Sequence, residues 1–209
     1  MSILDIAPVI PVVVIEDVET AVPLARALVA GGLPVIEVTL RTPAALESIR
    51  RIAAEVPDAV IGAGTILVPG DAAKAVAAGS RFLVSPGSTP SLIDALIDTT
   101  GASGVPFLPG VATASEVLGL YERGLREMKF FPAEAAGGVP YLKALGGPLP
   151  GVRFCPTGGI RRETACDYLA LPNVGCVGGT WLTPADALAT GDYARIEKLA
   201  GEAAALQLP

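Results

Sequence analysis

The chain has 209 residues, of which 51% are hydrophobic, with 15 basic and 21 acidic residues, no histidine and a formal net charge of −6. An acidic chain without a basic stripe is not expected to bind nucleic acid. The absence of histidine excludes His-based triads and the commonest metal ligand. The three cysteines, Cys155, Cys166 and Cys176, have no CxxC spacing, so no zinc site is expected. This odd, sparse count is typical of a reducing cytoplasm.

The amino-terminal segment and the apolar stretches carry no pattern for export or membrane insertion. No basic segment precedes the first apolar run and Asp5 interrupts it, so we expect no signal peptide. The longest uncharged window, residues 168–185, is broken by two prolines and three glycines and is not expected to span a membrane. We therefore expect a cytoplasmic protein with no membrane partner.

Eight short apolar runs recur along the chain at intervals of about 22–26 residues, which is typical of strand–helix units rather than hairpins. Runs of this kind predict strands that are buried on both faces. The runs are Val9–Ile15, Val35–Thr39, Ala59–Ala63, Phe82–Ser85, Val105–Leu108, Glu127–Phe131, Val152–Thr157 and Gly175–Val177.

Helical patterns lie between these runs. Apolar spacing predicts helices over Val18–Ala30, Ala44–Glu55, Ser91–Ile97 and Tyr193–Leu206. Threonines followed by proline are expected to cap helix starts at Thr42, Thr89 and Thr183, and a capping box is expected at Thr113. Glycines are expected to end helices at Gly31, Gly79, Gly101 and Gly124.

The alternation of eight strands with helices predicts an α/β protein. We expect one domain over residues 1–209, folded as a (β/α)8 TIM barrel with a short N-terminal helix. The alternative is a doubly wound open sheet. That fold would need a glycine-containing phosphate loop after the first strand, but residues 16–19 are acidic and contain no glycine.

Lys129 is one of four lysines, and the other three fall in helical patterns. It lies between Met128 and Phe130 in an apolar run, where loss of hydration disfavours the charged form of a lysine. A neutral amine is a nucleophile for carbonyl carbons. The alternative is a strand-end lysine whose ammonium reaches solvent.

The second run ends in polar residues on one face, since Glu37, Thr39 and Arg41 have period-two spacing. A carboxylate inside a strand needs a partner or a function. Glu37 is therefore either a catalytic carboxylate or half of a structural ion pair with Arg41 or Lys129. Arg41 has a planar fork suited to a carboxylate or phosphate, and its alternative is a solvated rim arginine.

The seventh and eighth runs each lead into a glycine pair beside a threonine: Gly158–Gly159 after Thr157, and Gly178–Gly179 before Thr180. The corresponding loops of many barrels bind phosphate through backbone N–H groups. Either pair alone is explained by a tight turn. Together they favour an anion site and hence a phosphorylated ligand.

Five segments of the sequence together resemble one known family. Residues 37–42, 62–65, 85–87, 129–134 and 153–159 are similar to the motifs of 2-keto-3-deoxy-6-phosphogluconate (KDPG) aldolase. Members are class I aldolases of the Entner–Doudoroff pathway and are often also active on 4-hydroxy-2-oxoglutarate (KHG). The resemblance extends in order from about Ile10 to the last helix.

The resemblance implies a role for each matching residue. Lys129 would form the Schiff base with the keto carbon, and Glu37 would act as general acid/base through a bound water. The pyruvyl carboxylate would be held by Arg41 and Thr65, and the rest of the pyruvyl group would pack against Pro86 and Phe131. The hydroxylated part would lie near Thr157, and the phosphate would be bound by Gly158, Gly159, Gly179 and Thr180.

The resemblance also implies a homotrimer that uses no metal or other cofactor. Its reaction would be cleavage of KDPG to pyruvate and D-glyceraldehyde 3-phosphate, with KHG as a second substrate. The phosphogalactonate isomer is an alternative substrate because all three share the pyruvyl half. Thr180 stands where serine is more usual, so the choice among sugar acids stays open. A sugar-phosphate isomerase barrel and a non-catalytic phospholigand-binding barrel are further alternatives, but neither needs Lys129, Glu37 and Arg41 together.

Overall fold

The computed structural model describes residues 2–206 as a parallel α/β fold that begins with a 3₁₀ turn at Ile3–Asp5. Its strands are β1 (Val9–Val13), β2 (Val35–Thr39), β3 (Val60–Gly64), β4 (Leu83–Val84), β5 (Phe107–Leu108), β6 (Gly110–Val111), β7 (Glu127–Phe130), β8 (Arg153–Pro156) and β9 (Val177–Gly179). Its helices are α1 (Ala21–Ala30), α2 (Ala45–Glu55), α3 (Pro69–Ala77), α4 (Pro90–Ser103), α5 (Ala114–Tyr121), α6 (Gly138–Gly146), α7 (Arg162–Leu169), α8 (Ala185–Thr190) and α9 (Tyr193–Ala204). None of these helices combines the length and apolar character needed to cross a membrane. Residues 1 and 207–209 of the predicted domain lie outside the described part.

The paired strands are all parallel and form two groups. A curled six-stranded sheet has the order β5–β4–β3–β2–β1–β9, and a three-stranded sheet has the order β6–β7–β8. Only Pro109 separates β5 from β6. Isolated parallel bridges, Thr157–Gly178 and Phe154–Val174, connect the β8 segment with β9 and the residues before it.

The larger sheet is covered on both faces, as the uninterrupted apolar runs predict. All five residues of β2 are buried. Leu28 of α1 and Ile49 of α2 are among the fully buried side chains outside the sheet. A second cluster, which includes Ile10 and Val35, fills the interior. Because these two residues lie near the amino ends of β1 and β2, the carboxyl ends remain for polar side chains.

The predicted strands are confirmed with small changes of length. Each of the eight predicted runs contains part of a strand, and β6 is an extra short strand beyond Pro109. The last strand lies two residues later than predicted, since Val177 pairs with Val9 and Gly179 with Pro11. The short N-terminal helix is the 3₁₀ turn at Ile3–Asp5.

Two of the predicted helix caps are confirmed. The Thr89 hydroxyl accepts a hydrogen bond from the Leu92 N–H at 3.3 Å. Thr113 accepts from the Glu116 N–H at 3.3 Å, and Glu116 reaches back to the Thr113 N–H at 2.8 Å, which completes the capping box. These short-range signals correctly located the starts of α4 and α5.

Three other boundary predictions are wrong. Thr42 does not cap α2, because its hydroxyl donates to the Ile15 carbonyl at 2.5 Å and the helix begins at residue 45. Thr183 does not cap α8, whose N-cap position is the following proline. Gly101 lies inside α4, which instead ends at Gly104, a glycine with φ of +69°.

Candidate active site

Lys129 of β7 and Glu37 of β2 meet across the interior, although their strands are not neighbours. The Lys129 Nζ donates to Glu37 Oε1 at 3.1 Å and lies 3.5 Å from Oε2. The two side chains are only 7% and 5% exposed. The Lys129 ammonium therefore does not reach solvent. Of the two partners considered for Glu37, the structure shows an ion pair with Lys129 and not with Arg41. A buried amine beside a carboxylate can exchange a proton without bulk water.

Glycine in β3 makes room for this pair. A Cβ on Gly64 would lie 2.0 Å from Glu37 Oε1 and 2.6 Å from its Cγ and Cδ. The Glu37 carboxylate therefore occupies space that any other residue at position 64 would fill. Gly62, paired with Glu37 in the parallel register, faces the Phe82 ring, which a Cβ would meet at 2.4 Å. The glycine-rich third strand thus shapes the interior around the carboxylate.

The buried pair opens into a cavity of about 410 Å³ at the carboxyl ends of the strands. Ten of the eleven residues predicted for the site line this cavity: Lys129, Glu37, Arg41, Thr65, Pro86, Phe131, Thr157, Gly158, Gly159 and Thr180. Gly179 is not among its lining residues. It lies on β9 against the Trp181 ring, which a Cβ would meet at 2.2 Å.

The other lining residues are Val12, Thr39, Ile160 and Gly178; Gly178 belongs to the glycine pair that predicts an anion site, and the other three are not predicted as site residues. Val12 lies opposite Glu37 in the β1–β2 register, but a single sequence carries no register signal. The period-two pattern did indicate Thr39, whose hydroxyl donates to the Val13 carbonyl at 3.1 Å. Gly178 leaves room for Thr157, since a Cβ there would lie 2.2 Å from the Thr157 hydroxyl oxygen.

Thr65 has the only positive φ, +59°, among non-glycine residues of the described chain. A β-branched residue is a genuine outlier in this left-handed region, at a cost of about 1–3 kcal/mol. Such strain is typical of functional sites. Here it turns the chain out of β3 directly after Gly64 and leaves Thr65 on the cavity wall.

The loop after β8 presents free backbone donors to the same cavity. Gly158 and Gly159 have φ of +102° and +81°. Within residues 2–206, neither of their N–H groups donates a hydrogen bond to the protein. Both glycines line the cavity beside Thr180. Two adjacent unpaired N–H groups and a hydroxyl form an environment that suits an anion.

A larger cavity of about 590 Å³ adjoins this site and shares Val12 and Thr180 with it. The carboxylates of Glu16 and Asp17 lie on its wall, and no lysine or arginine lines it. It therefore offers neither an amine nucleophile nor a positive charge, whereas the smaller cavity has both in Lys129 and Arg41.

The buried thiols do not supply an alternative nucleophile. Hydrogen bonding to Cys155 and burial hold the pKa of the Cys176 thiol well above its usual range. Cys155 lies within 3.9 Å of the Thr157 hydroxyl and is also buried. Within residues 2–206, no group of three or more Cys, Asp or Glu side chains is arranged to hold a metal ion.

A buried lysine paired with a carboxylate at the carboxyl ends of parallel strands is the arrangement that an amine-dependent aldolase, a carbon–carbon lyase, requires. Family comparison agrees, because residues 1–199 match the model described as KDPG and KHG aldolase. The chain therefore belongs to the KDPG/KHG aldolase family.

Curated relatives match nearly the whole chain. The KHG/KDPG aldolase of Escherichia coli (strain K12) is 54% identical over 202 residues, which cover 97% of this chain and 93% of the relative. The 2-dehydro-3-deoxy-phosphogluconate aldolase of Dickeya dadantii (strain 3937) is 55% identical over 204 residues, covering 98% and 94%.

A solved structure is similar in fold as well as sequence. The KDPG aldolase of Legionella pneumophila, with pyruvate captured as a covalent carbinolamine intermediate, has a TM-score of 0.92 and 46% identity. The match covers 97% of this chain and 96% of that one.

Proposed function

We propose that this protein is a class I aldolase that cleaves KDPG to pyruvate and D-glyceraldehyde 3-phosphate. The observation that carries the proposal is the buried Lys129–Glu37 contact of 3.1 Å, which faces a cavity with Arg41 and the Gly158–Gly159 loop on its walls. The named activities of the relatives support the same reaction. The carbinolamine in the Legionella enzyme supports covalent chemistry between an amine and pyruvate.

The first half of the reaction forms an imine. A proton passes from Lys129 Nζ to Glu37, and the free amine attacks the C2 carbonyl of the substrate. Glu37, acting through a water molecule, passes this proton to the alkoxide oxygen, then takes a second proton from the attached nitrogen and delivers it to the same oxygen, which leaves as water. The product is a positively charged iminium that accepts the electron pair released in the next step.

The second half breaks the C3–C4 bond. The Glu37 carboxylate takes the proton of the C4 hydroxyl as the bond electrons move into the iminium. This gives an enamine of pyruvate and glyceraldehyde 3-phosphate. Protonation of the enamine carbon and hydrolysis of the resulting iminium release pyruvate and restore Lys129. One carboxylate serves all the proton transfers because the chain has no histidine.

The remaining cavity residues bind and orient the substrate in this proposal. Arg41 and Thr65 hold the pyruvyl carboxylate through a bidentate fork and a hydroxyl. Phe131 packs on the pyruvyl group, since its ring centroid lies 5.4 Å from Lys129 Nζ, and Pro86, which lines the same cavity, also packs on it. Thr157 faces the hydroxylated carbons.

The phosphate binds at the Gly158–Gly159 loop with Thr180 and Gly179. The free N–H groups of the loop and the Thr180 hydroxyl support this assignment. Gly179 contributes through its backbone, although it does not line the present cavity. KHG is a second substrate, since it shares the pyruvyl half and the E. coli relative is named for both. Neither of the two curated relatives described above is named for the phosphogalactonate isomer.

We also infer that the two sheets belong to one closed (β/α)8 barrel that forms a single domain. The Thr157–Gly178 bridge and the single residue between β5 and β6 support closure. Family resemblance supports a cytoplasmic homotrimer, and the exposed apolar side chains of Leu67 and Val68, at 60% and 54%, offer surface for subunit contact. Sedimentation equilibrium tests the trimer, and a monomer mass would contradict it.

Pyruvate release measured with coupled lactate dehydrogenase tests the function. KDPG, its phosphogalactonate isomer and KHG are compared side by side. We expect pyruvate from KDPG and none with Lys129→Ala. Ligand binding without pyruvate would favour a binding protein, and isomerised product without an imine would favour an isomerase; either result would overturn the proposal.

A further inference from the structure

Tyr168 of α7 is a fully buried tyrosine whose hydroxyl reaches the rim of the active site. Its side chain is 0% exposed, and its Oη donates a hydrogen bond to Glu134 Oε1 at 2.8 Å. Glu134 is exposed and follows β7, five residues after Lys129. The mechanism above uses neither residue.

Glu134 forms the underside of the Gly158–Gly159 loop. Its backbone N–H donates to the Gly158 carbonyl at 3.0 Å. A Cβ on Gly159 would lie 2.7 Å from both Cβ and Cγ of Glu134, so the glutamate stem packs directly against the loop. The segment after the lysine strand and the loop that accepts the phosphate are thus one packed unit.

This proximity creates an electrostatic problem for phosphate binding. The Glu134 carboxylate is an anion on a three-bond side chain, within reach of a loop whose two N–H groups are unpaired. A carboxylate accepts hydrogen bonds from such donors as a phosphate does. If the Glu134 carboxylate turned to the loop, it would occupy the donors and repel the phosphate.

Tyr168 prevents that turn in the structure. Its hydroxyl engages Glu134 Oε1 on the side of α7, and the same hydroxyl oxygen lies 3.3 Å from where a Cβ on Gly138 would be. Burial and the neighbouring Glu134 charge raise the pKa of Tyr168. The phenol therefore stays protonated and remains a hydrogen-bond donor at neutral pH.

We propose that Tyr168 is a positioning residue that holds the Glu134 carboxylate away from the Gly158–Gly159 loop and so keeps the loop free for the substrate phosphate. The proposal rests on the proposed aldolase function, because it assigns the phosphate of KDPG to this loop. It makes Tyr168 a determinant of affinity for phosphorylated substrates and gives it no part in the covalent steps.

The test compares Tyr168→Phe with the wild-type enzyme on a phosphorylated and an unphosphorylated ligand. We expect KM for KDPG to rise roughly tenfold, the effect of losing a hydrogen bond to a charged group, with kcat nearly unchanged. The pyruvate concentration that gives half-maximal borohydride inactivation should not change, since pyruvate has no phosphate. Equal changes for both ligands, or no change for either, would overturn the proposal.

Two further variants distinguish the effect of the Glu134 charge from the effect of side-chain packing. In Tyr168→Phe/Glu134→Gln the competing charge is gone while the stem remains, so KM for KDPG should recover most of the loss. Glu134→Gln alone keeps an acceptor for the tyrosine and should leave KM for KDPG unchanged or lower it. This single variant decides the matter if Tyr168→Phe does not fold, because a raised KM would contradict the proposal.

Tyr141→Phe is the matched control. Tyr141 is half-buried, and its ring stacks on Phe130 with centroids 5.8 Å apart. Its hydroxyl has no hydrogen-bond partner within residues 2–206, so every kinetic constant should stay at the wild-type value. If wild-type protein forms no pyruvate adduct, the aldolase function itself is refuted. If the adduct forms but Tyr168→Phe affects both ligands equally, only the role of Tyr168 is refuted.

Discussion

Ion pairs lie at both ends of the strands, and those at the two ends differ in almost every physical respect. At the carboxyl ends, Lys129 and Glu37 are 3.1 Å apart, with side chains 7% and 5% exposed. At the amino ends, Arg153 contacts Asp5 at 2.5 Å and Glu127 at 3.3 Å, and these three side chains are 34%, 46% and 32% exposed. β7 contributes to both ends, through Glu127 and, two residues later, Lys129.

The difference separates an ion pair that can take part in proton transfer from ion pairs that hold the N-terminal turn against the strands. Arginine remains charged at any physiological pH, and its fork ties the N-terminal turn to β7 and β8. Lysine, unlike arginine, can pass a proton to a neighbouring base, and the Glu37 carboxylate lies 3.1 Å from Lys129 Nζ. A buried ion pair is weak evidence for stability, because desolvation of the two charges can offset their attraction. An exposed pair contributes only about 0–1 kcal/mol to the free energy of unfolding. Burial together with a cation that can deprotonate is therefore what distinguishes the catalytic end.

Replacing the cation at each end, Lys129 by arginine and Arg153 by lysine, should give the largest difference in activity between the two ends. Lys129→Arg keeps the charge opposite Glu37 but cannot form an imine, so pyruvate formation should fall to background. Lys129→Met, of similar volume, guards against overpacking by arginine. Arg153→Lys is the matched variant and should keep full activity while losing less than about 1 kcal/mol of stability. Measurable aldol cleavage by Lys129→Arg would break the comparison.

Removing the charge of each carboxylate should have the next largest effect. Glu37→Gln should lower kcat about 10²-fold or more, because the proton shuttle is lost, while a pyruvate adduct still forms slowly. Glu127→Gln at the opposite end should leave kcat unchanged. The coupled assay measures both variants, and wild-type turnover by Glu37→Gln would remove the carboxylate from the mechanism.

Displacing the Glu37 carboxylate without changing the residue tests whether its position matters as well as its charge. Gly64→Ala places a Cβ 2.0 Å from Glu37 Oε1, so the carboxylate must shift and kcat should fall roughly tenfold. Gly70→Ala is the control, since no heavy atom lies within 4 Å of a Cβ there and kcat should not change. Unimpaired Gly64→Ala activity would mean that the 3.1 Å contact is not needed.

The smallest effect concerns the amino end and the pH dependence of stability. The hydrogen bond from Arg153 lowers the pKa of Asp5 below its ordinary value of 3.8. A carboxylate with a depressed folded-state pKa contributes stability above pH 3.8, and the contribution is lost as the pH falls through the folded-state pKa.

Asp5→Asn should therefore be less stable than wild type at pH 7, by less than about 1 kcal/mol because solvent screens this pair. The difference should shrink as the pH falls below 3.8 and vanish below the lowered folded-state pKa of Asp5. Denaturant unfolding at several pH values measures it. A difference that grows on acidification would have the wrong sign, and a change in kcat would connect the two ends.

The elements of the fold follow closely from local sequence signals, because strand runs and caps depend on neighbouring residues. Val35–Thr39 has the predicted bounds, and Thr113 caps its helix as expected. The signals were misleading where a distant group intervenes. Thr42 was predicted as a cap, but the Ile15 carbonyl, 27 residues away, takes its hydroxyl.

The site was predictable in composition and not in geometry. The sequence indicates Lys129 and Glu37 separately and offers their pairing as one alternative. The choice of Lys129 over Arg41 depends on a contact between residues 92 positions apart, which no local pattern contains. The glycine pairs indicate an anion site and the Arg41 fork indicates a carboxylate or phosphate ligand, whereas the assignment of each to a particular part of the substrate comes from family resemblance. The link between Tyr168 and Glu134 carried no sequence signal, since a buried tyrosine on a helix is usually core.

The most direct test of the central claim locates the covalent bond. Wild-type protein is treated with pyruvate and borohydride, digested and sequenced by mass spectrometry, with protein treated with borohydride alone as reference. One reduced pyruvate should be found on Lys129 and none on Lys74, Lys143 or Lys198. An adduct on another lysine, or protein that remains unmodified and fully active after the treatment, would contradict the assignment of Lys129 as the nucleophile.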